Sequence, residues 1–484
     1  MTTNNHNTLP TERIPATPPP PGWLRVSGSR IVTGAPAETE VLLRGVGVGG
    51  WLNMENFITG YPGTESQLRA ALRASMGADA CDAFFARFTE AFYADADAAY
   101  LASLGVNCVR LPVNYHHLLD LDAGLALLDR AVEISANRGL HVVLDLHAVP
   151  GGQNQHWHSD NPTHVAAFWD HAVLQDQVAG WWEAIAAHFA GNPAVAGYNL
   201  LNEPACPDGE VLAAYYGRLA AVVRAADPRH ILFLDGNRYG TDFAAFAGLA
   251  ESVGNVVFAA HDYALPGLVS PEDHGADDGA YPGSTRGEWF DRDVVEATFR
   301  RRTEFMRRTG TPVWIGEFGP IYTGDPTIDE QRYALAGDQL EIYGAAGASW
   351  SLWTYKDLGM QGLATVRADS PYARRISGVL AKKKRLGTDA WGGTDRHVRH
   401  VLEPLEKLVA DEFGGFDPYP WGQRRWISRL IREILLAEPL VEEFGACFAG
   451  VSPAAAGELA DSFAFGNCDR NERLAALVKE HAHG

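Results

Sequence analysis

Short apolar runs alternate with amphipathic stretches along most of the chain. The apolar runs lie at 41–48, 108–113, 141–146, 195–200, 230–234, 255–260, 312–316 and 348–353. Between them, apolar positions repeat with a helical period, most clearly at 122–138, 208–226, 292–308 and 328–345. Strands buried on both faces read as nearly continuous apolar runs, so this alternation predicts parallel strands joined by crossover helices.

Eight such repeats predict an α/β fold, a (β/α)8 TIM barrel over 23–360. The segment 24–31, with a Ser27–Gly28 turn signal, predicts a small hairpin on the barrel floor. A doubly wound dinucleotide-binding sheet is the competing fold. It needs only five or six strands, however, and no GxGxxG motif opens a helix after a strand in this sequence.

The two ends of the chain differ from the barrel repeats. Residues 1–22 are rich in Pro, Thr and Asn and predict a disordered leader. Residues 361–484 show helical patterns near 395–413, 421–446 and 453–480, which predict a helical extension docked on the barrel. An independent domain and a dimer interface are the alternatives for the extension. Its apolar stripe must pack on some surface and comprises Trp426, Ile427, Leu430, Ile431 and Leu435.

Charge and composition exclude several classes of partner. Forty Lys and Arg face sixty Asp and Glu, and the resulting charge of −20 repels nucleic acid and anionic lipid. No apolar run approaches the ~18 residues of a membrane span. The five cysteines form no CxxC motif and are expected to be buried free thiols. Without an apolar signal segment in the first 22 residues, we expect a cytoplasmic protein.

Two glutamates stand where predicted strands end. The fourth strand runs into Asn202-Glu203-Pro204, and the seventh into Gly316-Glu317-Phe318. In a barrel of this kind the carboxyl ends of all strands meet at one mouth, where catalytic residues lie. Glycoside hydrolysis needs two carboxyl groups flanking one bond, ~5–5.5 Å apart when one is a nucleophile. The pair Glu203 and Glu317 therefore predicts a glycosidase.

Further motifs accompany the two glutamates in the same order as in a known family. They are Gly49-Gly50-Trp51-Leu52 with Glu55, Val109-Arg110-Leu111-Pro112-Val113, Asp145-Leu146-His147, His261-Asp262-Tyr263, Trp350, and Trp353 with Lys356. Together they resemble glycoside hydrolase family 5, in the clan of retaining (β/α)8 glycosidases. The resemblance spans 41–356 and is greatest to the exo-β-1,3-glucanase-like branch of that family.

The resemblance implies Glu203 as general acid/base and Glu317 as nucleophile, with no cofactor. Electrostatics leads to the same assignment. Two close carboxyl groups cannot both ionise easily, so the pKa of one should rise. Arg110 and Tyr263 are expected beside Glu317 and would keep it ionised, which leaves Glu203 as the protonated acid.

The same resemblance implies a set of substrate-binding residues. Asn202 is placed to bond the sugar 2-hydroxyl, and Trp353 should form an apolar floor beneath the ring. His147 and His261 have donors for other hydroxyls. In the exo-acting branch, a glutamate at the position of Glu55 binds the terminal sugar and closes the pocket.

We therefore predict a retaining β-glycosidase, exo-acting and similar to β-glucosidases or exo-β-glucanases. It would cleave a terminal sugar from a small neutral glycoside or oligosaccharide. An endo-acting member, or one specific for a furanoside, a galactoside or a glycolipid head group, stays open, as does the oligomeric state. A metal-dependent hydrolase using His147, His156, His158 and His164 is a less favoured alternative, because the two glutamates already supply a metal-free mechanism. A catalytically inactive sugar-binding barrel is the remaining alternative.

Overall fold

The computed structural model describes residues 22–34, 38–269, 279–389, 391 and 393–482. The predicted leader therefore lies, except for Gly22, outside the described residues. The strands are β1 Leu24–Ser27, β2 Arg30–Thr33, β3 Arg44–Gly47, β4 Cys108–Asn114, β5 His141–Ala148, β6 Val195–Asn199, β7 Ile231–Asp235, β8 Val256–His261, β9 Gly283–Thr285, β10 Glu288–Phe290, β11 Val313–Phe318, β12 Ser349–Leu352, β13 Lys356–Asp357, β14 Ala364–Val366 and β15 Cys468–Arg470.

Eight of these strands form a closed parallel barrel in the order β3-β4-β5-β6-β7-β8-β11-β12. Each predicted apolar run overlaps one barrel strand, so the predicted TIM barrel is confirmed. β1 and β2 form the predicted hairpin. Its side chains Leu24 and Ile31 pack against residues at the starts of barrel strands, which are Cys108, Ile231 and Trp314. The hairpin therefore covers the end of the barrel where the strands begin.

The helices follow the strands around the barrel. They are α1 Asn56–Thr59, α2 Glu65–Met76, α3 Ala78–Phe92, α4 Asp95–Ser103, α5 Leu121–Ala136, α6 Ala172–Phe189, α7 Gly209–Ala226, α8 Asn237–Gly240, α9 Ala247–Ser252, α10 Arg292–Arg302, α11 Glu304–Thr309, α12 Pro326–Ala345, α13 Pro371–Leu386, α14 Arg399–Glu412, α15 Gln423–Arg429, α16 Ala437–Ala446, α17 Pro453–Ala460 and α18 Glu472–Ala482, with a π-helical turn at Leu430–Leu435.

Local sequence explains where the longer helices begin. α12 starts after Asp325, whose carboxylate accepts hydrogen bonds from the backbone N–H groups of Thr327 and Ile328. Pro326 occupies the first helical position, where its missing N–H costs nothing. α5 has the same kind of cap in Asp120. These caps satisfy donors that the first helical turn leaves unpaired.

The C-terminal extension packs closely around the barrel. β15 pairs with β14, α16 packs on α2, and α17 packs on α3. α18 packs on α12, and its His481 carbonyl accepts a 2.9 Å hydrogen bond from Arg44 on β3. Because α12 precedes the eighth barrel strand and β3 is the first, α18 takes the place of the eighth barrel helix. The predicted boundary between barrel and extension lies at residue 360, and the ring of helices continues beyond it to α18.

Three details of the extension differ from the sequence pattern. The stretch after residue 361 predicts a polar loop from its sequence, but the structure contains α13 there. At its basic end Lys383 is buried and donates a 2.9 Å hydrogen bond to the Asn56 carbonyl. In the predicted apolar stripe Ile427 is buried, but Leu435 is 62% exposed because it lies on the outer face. No helix in the described part of the chain could cross a membrane.

Candidate active site

Glu203 follows β6 and Glu317 lies on β11, and both side chains are buried at the mouth of the barrel. One carboxylate oxygen of each, together with a ring nitrogen of His261, lies within 4.8 Å of the other two atoms. A separation near ~9 Å would leave room for a water molecule and indicate inversion. The short separation is instead the geometry of a retaining pair.

Glu317 is held by two donors. Arg110 Nη1 donates to Glu317 Oε1 at 2.6 Å, and the Tyr263 hydroxyl donates to Oε2 at 2.9 Å. Arg110 is fully buried, bonds Asn202 Oδ1 at 2.6 Å and pairs with Asp145 at 3.1 Å. These two hydrogen bonds orient the Glu317 carboxylate for attack as a nucleophile.

Glu203 has a different set of partners. Its Oε1 lies 2.7 Å from His261 Nδ1, and its Oε2 lies 3.3 Å from His158 Nε2. Its backbone, in the left-handed region with φ 44°, donates an N–H to Asp235 at 2.9 Å. This turn aims the carboxyl group at Glu317 instead of continuing the strand.

Glu203 and His261 form a buried hydrogen-bonded pair, and each changes the pKa of the other. Burial raises the pKa of the Glu203 carboxyl, but the hydrogen bond and charge of His261 outweigh burial and lower it to about 2. Burial also opposes the charge of His261, yet the carboxylates of Glu317, Asp235 and Glu203 raise its pKa. One proton is therefore held between His261 and Glu203 across their 2.7 Å hydrogen bond.

A second wall of the site, beside the one that carries Glu203 and Glu317, consists of His147, Glu55 and Trp353. His147 Nδ1 lies 2.7 Å from Asp145 Oδ2, and Nε2 lies 3.3 Å from Glu55 Oε1. Burial opposes the charge of His147, but Asp145 and Glu55 raise its pKa to about 10. Burial raises the pKa of Glu55 to about 7. The His147 ring lies parallel to the Trp353 indole, with centroids 5.4 Å apart.

Two glycines make room for the Trp353 ring. A Cβ atom on Gly47 or Gly49 would lie only 2.6 Å from the indole carbons. No real Cβ contact is that short, so any other residue at these positions would displace the ring or the backbone. The glycine-rich run after β3 therefore serves packing, not phosphate binding.

These walls enclose a cavity of about 350 Å³, a size typical of a small-molecule site. Seven of the predicted site residues line it, namely Glu55, His147, Glu203, His261, Tyr263, Glu317 and Trp353. The other two, Arg110 and Asn202, are fully buried behind the wall. Asn202 lies 3.3 Å from His147 Nε2, and its amide oxygen is occupied by Arg110.

Residues of the extension also reach the site, which the sequence pattern does not predict. Trp391 packs edge-on against Tyr263, with centroids 5.0 Å apart. Trp421 stacks on Tyr239 at 5.8 Å with an angle of 12°. Both tryptophans line the cavity, as does Arg425. The stretch 413–426, dense in aromatic residues, Gly and Pro, was the available signal, because such loops often carry binding residues.

The four histidines of the alternative metal site do not form a ligand set in the described part of the chain. His156 and His158 line the cavity, whereas His164 packs edge-on against Trp426 at 5.4 Å. Within the described ranges, two groups have side chains close enough to share a cation. They are Glu65 with His116 and His117, and Glu203 with His261 and Glu317.

Comparison with known proteins agrees with this geometry. The family model for cellulases, glycosyl hydrolase family 5, matches residues 78–359. A β-xylosidase of Phanerodontia chrysosporium is 43% identical over 480 residues, covering 95% of this chain and 98% of that protein. A probable glucan 1,3-β-glucosidase A of Neosartorya fischeri is 29% identical over 69% of this chain and 88% of its own length.

Among solved structures, that of an endogalactoceramidase superposes with a TM-score of 0.50 at 21% identity, covering 69% of this chain and 74% of that one. This likeness concerns the fold alone. The family match and the β-xylosidase relative both extend over more than half of the chain. The chain belongs to glycosyl hydrolase family 5, as its motifs predict, and it is a glycoside hydrolase.

Proposed function

We propose that the protein is an exo-acting retaining β-glycosidase that releases a terminal β-xylosyl residue from a small glycoside. The observation that carries the retaining mechanism is the close approach of Glu203 and Glu317, whose nearest carboxylate oxygens lie within 4.8 Å. A separation this short leaves no room for a water molecule between the sugar and one carboxylate, so that this carboxylate can attack the sugar directly.

In the first step Glu317 attacks the anomeric carbon while the glycosidic C–O bond breaks. Arg110 and Tyr263 orient the attacking carboxylate. Glu203 delivers a proton to the leaving oxygen, and that proton reaches it from His261 across their 2.7 Å hydrogen bond. The His261–Glu203 pair thus acts as one proton donor, with the carboxylate facing the substrate.

In the second step Glu203 is again a carboxylate and removes a proton from water. The resulting hydroxide equivalent attacks the anomeric carbon and breaks the bond to Glu317. Two inversions at the same carbon retain the β configuration. His261 recovers the proton from Glu203, which restores the starting state.

The β-xyloside is favoured over other sugars by two observations. The β-xylosidase relative aligns with nearly the whole chain, including the extension that lines the cavity. Trp391 from that extension packs on Tyr263, the residue that bonds Glu317. A ring packed on Tyr263 suits a pentose, which lacks the hydroxymethyl group of glucose. A β-glucoside is the second candidate, because other relatives are named glucan 1,3-β-glucosidases.

Exo action is supported by the wall opposite the extension. Glu55 and the protonated His147 supply an acceptor and a donor for hydroxyls of a terminal sugar. We also propose a cytoplasmic location, supported by the five cysteines, all of them free in the structure. Cell fractionation with an antibody tests that location.

A panel of para-nitrophenyl β-xyloside, β-glucoside, β-galactoside and α-arabinofuranoside tests the proposed activity. We expect the xyloside to give the highest kcat/KM and NMR to show the β-anomer as the first product. A first-formed α-anomer would contradict the retaining mechanism. A higher kcat/KM on the glucoside would favour the second candidate, and internal cleavage of a dye-labelled glucan would contradict exo action.

A further inference from the structure

A second cavity of about 930 Å³ adjoins the active-site cavity. The two share several lining residues, which are His156, Trp391, Trp421, Arg425 and Glu433. Most of its other lining residues belong to the extension, between 393 and 432. Any substrate longer than a single sugar therefore has space to continue from one cavity into the other.

The position of Glu203 indicates which part of a substrate would enter this space. Glu203 Oε2 is 3.3 Å from His158, whose ring lies 5.5 Å from His156. His156 in turn packs against Trp421 at 4.7 Å. Since the general acid protonates the leaving group, the leaving group lies on its side of the scissile bond. This chain of rings leads from the acid to the second cavity.

The second cavity is rich in arginine, although the whole chain carries a charge of −20. Besides Arg286, its described lining contains Arg399, Arg424, Arg425, Arg429 and Arg432, against Asp395, Glu406 and Glu433. Most of these arginines have partners. Arg399 and Arg424 pair with Glu406, Arg429 pairs with Glu433, and Arg432 bonds backbone carbonyls.

Arg425 is the exception. Within the described ranges it forms no hydrogen bond or ion pair, and its guanidinium lies 5.1 Å from the centroid of the Trp421 ring. Its side chain is exposed and lines both cavities. The surrounding protein lowers the pKa of its guanidinium, Tyr239 and Glu433 oppose this, and Arg286 and Arg429 add to it, but a guanidinium stays charged at neutral pH. An unpaired guanidinium in a confined space offers planar donors for a carboxylate.

We propose that Arg425 binds a carboxylate on the leaving group of the substrate, which occupies the second cavity. The preferred substrate is then a glycoside of an acidic aglycone or of an acidic sugar, not a neutral one. The planar ring of Trp421 packs against this leaving group. This inference rests on the proposed glycosidase activity and on Glu203 as its acid.

Two substrates that differ in one charge test the proposal. They are the para-carboxyphenyl β-xyloside and its methyl ester, measured with wild type and with Arg425→Gln. We expect Arg425→Gln to lower kcat/KM for the carboxylate about tenfold or more, and to change the ester less than about twofold. The ratio of the two values for one protein does not depend on the folded fraction, and comparing this ratio between proteins cancels the difference in leaving-group reactivity.

Arg385→Gln is the matched control, because it removes the same charge from an exposed arginine of the extension that lines neither cavity. It should leave the carboxylate-to-ester ratio unchanged. Arg425→Lys should restore part of the preference. An unchanged ratio in Arg425→Gln, or the same fall in Arg385→Gln, would overturn the proposal. If wild type hydrolyses neither compound nor any glycoside of the panel, the proposed activity itself fails, which is a distinct result.

Discussion

At the residue scale, one proton shared by His261 and Glu203 decides which glutamate can act as the acid. Sequence alone identifies both glutamates, because each ends an apolar strand at the barrel mouth. The sequence does not show that His261 lies 2.7 Å from Glu203, because that contact depends on how the ends of β6 and β8 are aligned in the barrel. The predicted positions of the two carboxyl groups at the barrel mouth agree with the structure.

Removing each glutamate should have a distinct chemical consequence. Glu203→Ala is expected to lower turnover of an unactivated glycoside roughly 10²–10⁴-fold, because the leaving oxygen loses its proton donor. With an activated aryl glycoside, azide should rescue this variant and give the β-glycosyl azide. Glu317→Ala with azide should give the α-glycosyl azide, because azide then attacks in place of the carboxylate. NMR of the products distinguishes them, and reversed anomers would exchange the two roles.

Glu55 gives a pH-dependent prediction. Burial raises the pKa of its carboxyl from 4.5 to about 7. The folded protein therefore holds a proton that the unfolded chain has lost between these pH values, and stability from this group is lost as pH rises through 7. Glu55→Gln removes that loss. Relative to wild type, it should gain up to about 3 kcal/mol of unfolding free energy between pH 5 and pH 8.

Urea unfolding of both proteins at the two pH values measures this difference. The lost contact with His147 affects the absolute stability of Glu55→Gln, so the change between the two pH values is the informative quantity. A difference between variant and wild type that does not vary with pH would mean that Glu55 titrates near its ordinary value in the folded protein.

At the element scale, the glycine-rich segment after β3 shapes the floor of the site. Gly49→Ala would place a methyl group 2.6 Å from the Trp353 ring. We expect a loss of about 1–3 kcal/mol of stability and a raised KM, because the indole must shift. Gly180→Ala on α6 is the control, because nothing lies within 4 Å of its Cβ position. It should keep wild-type KM, and equal behaviour of both variants would contradict the floor assignment.

The elements that the sequence predicts best are those with a strong local period. All eight barrel strands and the helices near 122–138 and 208–226 agree with the structure, because apolar spacing reflects burial directly. The missed parts depend on contacts between distant segments. Trp391 and Trp421 reach the site from the extension, and nothing in their local sequence indicates Tyr263 or Tyr239 as neighbours.

At the scale of the whole molecule, α18 completes the ring of helices around the barrel. Leu474 on α18 is buried in the main core. Leu474→Ala should therefore destabilise the protein by about 2–5 kcal/mol, as large-to-small changes in a packed core do. Lys479→Ala, on the exposed face of the same helix, should stay within about 0.5 kcal/mol of wild type. Chemical denaturation of both variants decides, and a neutral Leu474→Ala would show that α18 is dispensable.

Truncation after Gly387 tests the part of the extension that carries α14 to α18. It removes α14 to α18, and with them the helix beside β3 and the Trp421 side of the cavity. We expect an insoluble or strongly destabilised barrel. A soluble, stable and fully active fragment would show that the extension is a separate module.

The most direct test of the account is to trap the covalent intermediate. A 2-deoxy-2-fluoro-β-xyloside with an activated leaving group should label the enzyme once, because the fluorine slows both steps while the activated leaving group keeps the first step fast. Peptide mapping by mass spectrometry is expected to place the sugar on Glu317, and Glu317→Gln should not be labelled. Labelling at Glu203, or none in an enzyme that hydrolyses the parent xyloside, would contradict double displacement through Glu317.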